Sequence, residues 1–421
     1  MTDPSGATLA RRLGTRDAVV VGLGAMLGAG VFAAFGPAAS AAGAGLLVGL
    51  VVAAVVAWCN ALSSAQLAAR YPTSGGTYVY GRERLGPWWG FAAGWCFVIG
   101  KTASCAAMAL TFAGYVLPEG GWSQRALAAT AVAALAAVNL RGITRTAALS
   151  RVLVAFTLVA LLVALVVLAG SGHTQGDRLR APWLDEFGLH GVLQAAGFLF
   201  FAFAGYARVA TLGEEVRDPS RTIPRAITLA LAIVIAIYAA VAVVLLSVLG
   251  PTGLAEAAAP VSDAVRVAGA EWAVPVVQAG AAVASLGALL ALVAGVGRTG
   301  LAMARNGDLP RTLAAVSSRW QVPHHAEVAV AAVVIALVLA FDVRTVIAFS
   351  SFGVLLYYGV ANASALTLTA QERRLPPVVA GVGVVGCVVL VLCLPWPAIA
   401  TGVGVLVVGL LGRLLFAPSA R

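Results

Sequence analysis

Of the chain's 421 residues, 61% are hydrophobic and only 10% charged, and the formal net charge is +10. So little charge cannot cover a soluble domain of this size, and a mean hydropathy of +0.96 points to an integral membrane protein. No basic domain or aromatic–basic stripe underlies the positive excess, so nucleic acid is not an expected partner.

Residues 1–16 carry Arg11, Arg12 and Arg16 but no cleavable signal, because the apolar stretch that follows is too long and leads at once into another. A helical span needs about 20 apolar residues. Twelve stretches are candidates: 17–42, 45–69, 88–117, 123–140, 146–170, 189–213, 226–249, 272–302, 325–341, 345–370, 377–394 and 396–416. The fourth, ninth and eleventh are short, and only Pro395, Trp396 and Pro397 divide the last two. The runs are continuous rather than alternating, against a membrane β-barrel. No intervening segment holds a soluble domain, although 250–271, with a second stretch after Pro260, reads as a helical cap.

With the N-terminus inside, Arg125, Arg178, Arg180, Arg266 and Arg344 fall outside and Lys101 falls within the membrane. Every other one of the 27 basic residues is then cytoplasmic. The positive-inside rule supports a multi-pass protein of the cell membrane with both termini, 1–16 and 417–421, in the cytoplasm.

Two spans look broken. The first reads GLGAMLGAG from Gly22 to Gly30, and the sixth reads FAFAGYARVAT from Phe201 to Thr211. Glycine costs about 1 kcal/mol in a helix interior and frees backbone groups that need partners. Broken helices at matching places in two five-span halves are the pattern of an inverted-repeat transporter. The alternative is close helix packing, which Gly22, Gly24 and Gly28 could serve. A dinucleotide fold is excluded, because no strand precedes the glycines and no acid follows within reach.

Lys101 is the single lysine of the chain and stands near the middle of the third span. An ammonium at that depth costs about 2.5–3.5 kcal/mol, so it is expected to face a polar cavity or a partner. All five cysteines lie in spans without a CxxC pair and read as packing residues. No metal and no cofactor is expected.

Four segments in register resemble the amino acid/polyamine/organocation transporter superfamily. They are GLGAMLGAGVF (Gly22 to Phe32), YPTSGGTYVYGRERLGPWWGFAAGW (Tyr71 to Trp95), FFAFAGYARVATLGEEVRDPSRTIPRAI (Phe200 to Ile227) and RTGLAMARNGDLP (Arg298 to Pro310). The resemblance implies an all-α integral membrane fold of 12 transmembrane helices. Spans 1–5 (17–170) and 6–10 (189–370) form two inverted five-helix repeats, broken in helices 1 and 6. An external loop (171–188) joins them, and two C-terminal helices (371–416) follow. It also implies alternating access to a midplane site. There Gly28, Ala29 and Gly30 would offer N–H groups to a substrate carboxylate. Carbonyls around Phe203, Ala204 and Gly205 would accept from its ammonium, with Phe203 and Tyr206 as walls or gates.

The chain departs from this pattern in ways that bear on substrate. Relatives for cationic substrates often carry an acid where Ala207 stands, next to Arg208, and no acid lies mid-span here. The substrate reading is therefore a neutral or acidic amino acid. Some proton-coupled relatives place a lysine where Thr157 stands. Lys101 is a candidate to supply that charge from another helix, with Thr157 and Ser285 as alternative ion ligands, and a proton is expected rather than sodium. Arg208, Glu214 and Glu215 are candidate cytoplasmic gate residues or a solvated face. The expected function is a secondary active, proton-coupled amino acid permease. The alternatives are an exchanger or a cationic amino acid or polyamine transporter of the same superfamily. From another class, a membrane-embedded enzyme would need mid-depth acid–base pairs or metal-ligand clusters, which the sequence lacks, and a channel or a non-transporting sensor is the other alternative.

Overall fold

The computed structural model describes residues 13–72, 75–142, 147–180, 182, 184–212 and 215–416. Each apolar stretch folds as helix. The first becomes three pieces, α1 (Thr15–Met26), α2 (Ala29–Ala33) and α3 (Phe35–Ala42). Gly43, at φ 53° where a side chain would be strained, turns the chain into α4 (Leu46–Arg70). A short loop helix, α5 (Thr77–Leu85), precedes α6 (Pro87–Val116), and α7 (Gly121–Leu140) and α8 (Ala147–Gly170) complete the first half. The second half runs α9 (Leu184–Phe203), α10 (Ala207–Ala210), α11 (Pro219–Glu256), α12 (Pro260–Val267), α13 (Val274–Arg305), α14 (His324–Ala340) and α15 (Val343–Leu366). Helices α16 (Pro377–Cys393) and α17 (Trp396–Phe416) close the chain.

Among the described residues, nine helical segments are long and apolar enough to cross a membrane. Three of the twelve expected spans fall short of that measure. Helices α14 and α16 have 17 residues each, about 25 Å against a hydrocarbon core of about 30 Å. Helix α7 is long enough, but Ser123, Gln124, Arg125 and Asn139 dilute its hydropathy. The expected cap is helical: α11 bends at Gly250 (φ 71°), and α12 follows.

Helix α6 is central. Its backbone meets that of α15 at Gly100 and Gly353, where a Cβ on Gly353 would lie 2.8 Å from the Cys96 carbonyl oxygen. The Ser104 and Ser350 hydroxyls are 2.6 Å apart beside this crossing. Small residues allow such approach, and without water to compete the gain is van der Waals contact. Outer helices instead present apolar faces, such as Val152, Val159 and Leu162 of α8 and Val408, Leu411 and Leu414 of α17. Those are the surfaces a lipid environment covers.

Candidate functional site

The first break lies one step earlier than the glycine triplet suggested. Helix α1 ends at Met26, and Leu27 (φ −78°, ψ 30°) and Gly28 (φ −80°, ψ −140°) leave helical geometry. Ala29 and Gly30 belong to α2, so their N–H groups stand in the first turn after the break. Gly30 is also a packing position. A Cβ there would lie 2.5 Å from Ala202 Cα, on the sixth span. Gly22 serves packing as expected, against Val209 and Ala230.

The second break is a tightening rather than an unwinding. Ala204–Tyr206 form a 3-10 turn between α9 and α10, with Phe203, Tyr206 and Ala207 all near helical dihedrals. Gly205 lets this turn sit on the first span, since a Cβ would lie 2.4 Å from the Ala25 carbonyl carbon and oxygen. The two breaks therefore touch one another directly.

Three side chains satisfy the carbonyls at this junction. Tyr238 of α11 places its hydroxyl 2.6 Å from the Met26 carbonyl and 3.0 Å from that of Ala202. Lys101 Nζ donates to the Ala204 carbonyl over 3.0 Å, and Tyr358 of α15 donates to the same oxygen over 3.1 Å. Lys101, 7% exposed, thus turns inward onto the sixth-span break, which meets the demand that a mid-membrane ammonium find polar contact. Phe203 packs on Tyr238 at 5.0 Å, and Tyr206 stacks on Tyr358 at 4.7 Å. Both are fully buried in this aromatic cluster, so here they are packing groups.

The other ion-site candidates share no hydrogen bond with Lys101 among the described residues. Thr157 lines a gap of about 10 Å³ with Gly24, Leu27, Leu153, Val154, Val283 and Ala284, room for about one water molecule. Its hydroxyl donates to Leu153, one turn back. Ser285 is buried on α13 beside Ala284, and its hydroxyl has no hydrogen-bond partner among the described residues. The side chains around the gap are apolar except Thr157, a thin set for sodium, which needs several oxygen ligands. No cluster of His, Cys, Asp or Glu among the described residues could hold a metal.

On the side where the chain enters, Leu13 and Val216 form an isolated parallel bridge. The Leu13 amide donates to Glu215 over 3.1 Å, and the Arg217 amide donates to Leu13 over 2.9 Å. Arg208 reaches the Thr211 hydroxyl at 3.3 Å and Glu215 only at 4.0 Å. That half-exposed pair contributes little, so backbone bonds rather than the charges tie the entry of α1 to the exit of α10. Glu214 lies outside the described residues.

Two of the resembling segments meet in a buried cluster that residue types alone did not reveal. Asp308, 3% exposed, accepts from Tyr78 Oη at 2.7 Å and faces Arg82 at 3.4 Å. Arg413 Nε of α17 lies 3.0 Å from Asp308 without the alignment of a hydrogen bond, so its attraction is mainly ionic. Trp88 stacks under that guanidinium at 4.4 Å, and Asn306 donates to Tyr78 at 2.9 Å. Burial, and then the bond to Asp308, push the Tyr78 phenol up to about 12.

Comparison with known proteins agrees with this architecture. The amino acid permease family model matches residues 13–415. A protein of Mycobacterium tuberculosis named as an uncharacterized transporter is 61% identical over 95% of this chain and 90% of its own. The branched-chain amino acid permease of Bacillus subtilis is 26% identical over 97% of this chain and 93% of its own. Cationic amino acid transporter 4 of Homo sapiens is 30% identical over 88% of this chain and 61% of its own. The chain belongs to the amino acid permease family of multi-pass membrane transporters.

Proposed function

We propose that the chain is a proton-coupled secondary active transporter of neutral or acidic amino acids, working by alternating access. The observation that carries this reading is the junction of the two breaks, where Tyr238, Lys101 and Tyr358 converge on carbonyls of Met26, Ala202 and Ala204. The substrate carboxylate would meet the N–H groups after Gly28, at Ala29 and Gly30. Its ammonium would meet carbonyls of the 3-10 turn. Both spans would have to part for it to enter. In this reading the protein has twelve spans, inverted repeats at 17–170 and 189–370 and two further helices at 371–416. It lies in the cell membrane with both termini cytoplasmic, and no catalysis is involved.

Charge argues for the substrate class. The described residues put one ammonium and no carboxylate at the junction, a poor host for a second cation. A similar protein named as a branched-chain permease accords with a neutral substrate. Relatives named as cationic amino acid transporters favour the competing reading. For coupling, Lys101 is the proton carrier in this reading, and the gap beside Thr157 is the place for sodium should that prove wrong.

A thermal-shift screen of the twenty amino acids, putrescine and agmatine on purified protein tests the assignment, followed by uptake into liposomes. Saturable, gradient-dependent uptake of a neutral or acidic amino acid is expected. Selective stabilisation by arginine, lysine or putrescine would overturn the substrate class.

A further inference from the structure

The Ala204 carbonyl is an ammonium seat that the protein itself fills. Lys101 Nζ lies 3.0 Å from it and Tyr358 Oη 3.1 Å, at the turn where the sixth span tightens. A carbonyl oxygen has two lone pairs, so Tyr358 and one ammonium exhaust it. Lys101 has no ion-pair partner among the described residues.

The titratable groups near Lys101 are Cys105 one turn along α6, Tyr358 and Tyr357 on α15, and Tyr206 in the break. Charged residues of the helices packed on α6 stand at its ends. Arg82 of α5 and Arg413 of α17 gather where α6 begins, about 21 Å along the helix from Lys101. Arg344 opens α15, about 21 Å along that helix from Tyr358. Glu327 of α14 abuts Gly297 of α13, next to Arg298 and about 14 Å along α13 from Ala288, the residue packed on Gly28. Arg125 of α7 bonds the Leu339 carbonyl at the opposite end of the bundle.

We propose that the ammonium of an amino acid takes the Ala204 carbonyl by displacing Lys101, so that the lysine is a built-in competitor for the substrate. This rests on the reading that substrate binds at the two breaks. Two ammonium charges in contact at one buried carbonyl repel strongly with so little water to screen them, so both cannot remain charged there. The displaced lysine has no carboxylate to turn to. One of its N–H bonds breaks, the electron pair stays on Nζ, and the proton passes to water that enters with the substrate. The neutral amine then accepts a hydrogen bond from the substrate's ammonium. The number of ammonium groups at the carbonyl is conserved, one lost from Lys101 as a proton and one brought by the amino acid. The net charge of the site falls by one, because the incoming carboxylate makes the substrate a neutral zwitterion. Each proton that rebinds expels an amino acid, so coupling is exchange of substrate against protons rather than co-transport. Lys101→Arg, whose guanidinium keeps its proton, should hold the seat permanently and abolish uptake.

Lys101→Ala empties the seat. n-Propylammonium chloride, which matches the end of the missing side chain, should then raise the thermal-shift midpoint of the variant by about 2 °C or more at saturation. It should leave wild type unmoved. Tetramethylammonium chloride, which has no N–H, should move neither. Equal shifts in both proteins, or none in the variant, overturn the seat. No amino acid enters this measurement, so it stands independently of where the substrate binds. The exchange is tested on wild type alone, in proteoliposomes with a uniformly labelled mixture of the twenty amino acids. An acid lumen should raise accumulation above that seen without a gradient, and an acid exterior should lower it. Higher accumulation with an acid exterior overturns the competition. Absence of any uptake sinks the transport reading instead and leaves the propylammonium result to decide the seat.

Discussion

The hydroxyl of Tyr238 lies 2.6 Å from the carbonyl oxygen of Met26, the last residue of α1 before the first span breaks. The same oxygen atom of Tyr238 is 3.0 Å from the Ala202 carbonyl, so one phenol from a third helix serves both broken spans. Helix termini leave orphan carbonyls, and in a membrane no water competes to satisfy them. Tyr238 is the clasp that holds the two breaks together.

Tyr238→Phe keeps the ring contacts with Phe35 and Phe203 and removes only that clasp. Leaving buried carbonyls unsatisfied costs about 1–3 kcal/mol. A lower thermal-shift midpoint in detergent and reduced uptake into liposomes are expected. Wild-type values in both measurements would show that the carbonyls find other partners.

The existence of two breaks was legible because glycine inside an apolar run is costly unless the backbone uses it. Their position was legible to within about a residue, but their form was not. Gly30 and Gly205 leave no room for a side chain against Ala202 and Ala25 on the facing span, contacts that only the folded chain creates. Tyr238 and Tyr358 were hidden for a similar reason. A tyrosine within an apolar stretch reads as packing until the carbonyl opposite its hydroxyl is known. Lys101 was readable because its cost is local, set by depth in the span. Asp308 was not, since it lies in a polar connection and is buried only by Tyr78 and Arg413, far away in sequence.

Direct contact between the breaks makes the cost of a single methyl measurable. In Gly205→Ala the new Cβ would meet the Ala25 backbone at 2.4 Å, which no rotamer change relieves. Overpacking of this kind costs about 1–3 kcal/mol, and uptake should fall with stability. Gly295→Ala on α13 and Gly404→Ala on α17 are controls, because nothing lies within 4 Å of either added Cβ. They should be neutral or gain up to about 1 kcal/mol. If all three variants melt and transport alike, the breaks are not packed on each other.

Asp308 holds three segments: α5 through Tyr78 and Arg82, the end of α13, and α17 through Arg413. Asp308→Asn leaves the buried Arg413 without its counter-charge, a loss of about 3–5 kcal/mol by analogy with other broken buried pairs. Tyr78 adds a pH signature. Its folded value is raised above the ordinary 10 to about 12. The stability it contributes is therefore whole below pH 10 and is lost as pH climbs from there through about 12. Tyr78→Phe should flatten that part of the alkaline melting profile. A profile unchanged by the substitution would mean that Tyr78 titrates normally.

The Leu13–Val216 bridge closes one side of the junction with two backbone hydrogen bonds, of 3.1 and 2.9 Å. The proposed alternating access would part α1 from α10 on this side at some point in the cycle, and those bonds would then break. Neighbouring strands lie about 4.8 Å apart, within the Cα separation a disulfide accepts. A Leu13→Cys/Val216→Cys pair should therefore cross-link under mild oxidation. Val216 is buried, so the bond would form in the closed state and lock it. Oxidised protein should lose uptake into liposomes and recover it on reduction, while each single variant transports in both conditions. The five native cysteines lie within helices α4, α6 and α16, away from this bridge, so they do not compete for the cross-link. Full uptake by quantitatively cross-linked protein would mean that α1 never parts from the sixth-span exit. The opening would then have to be sought elsewhere in the bundle.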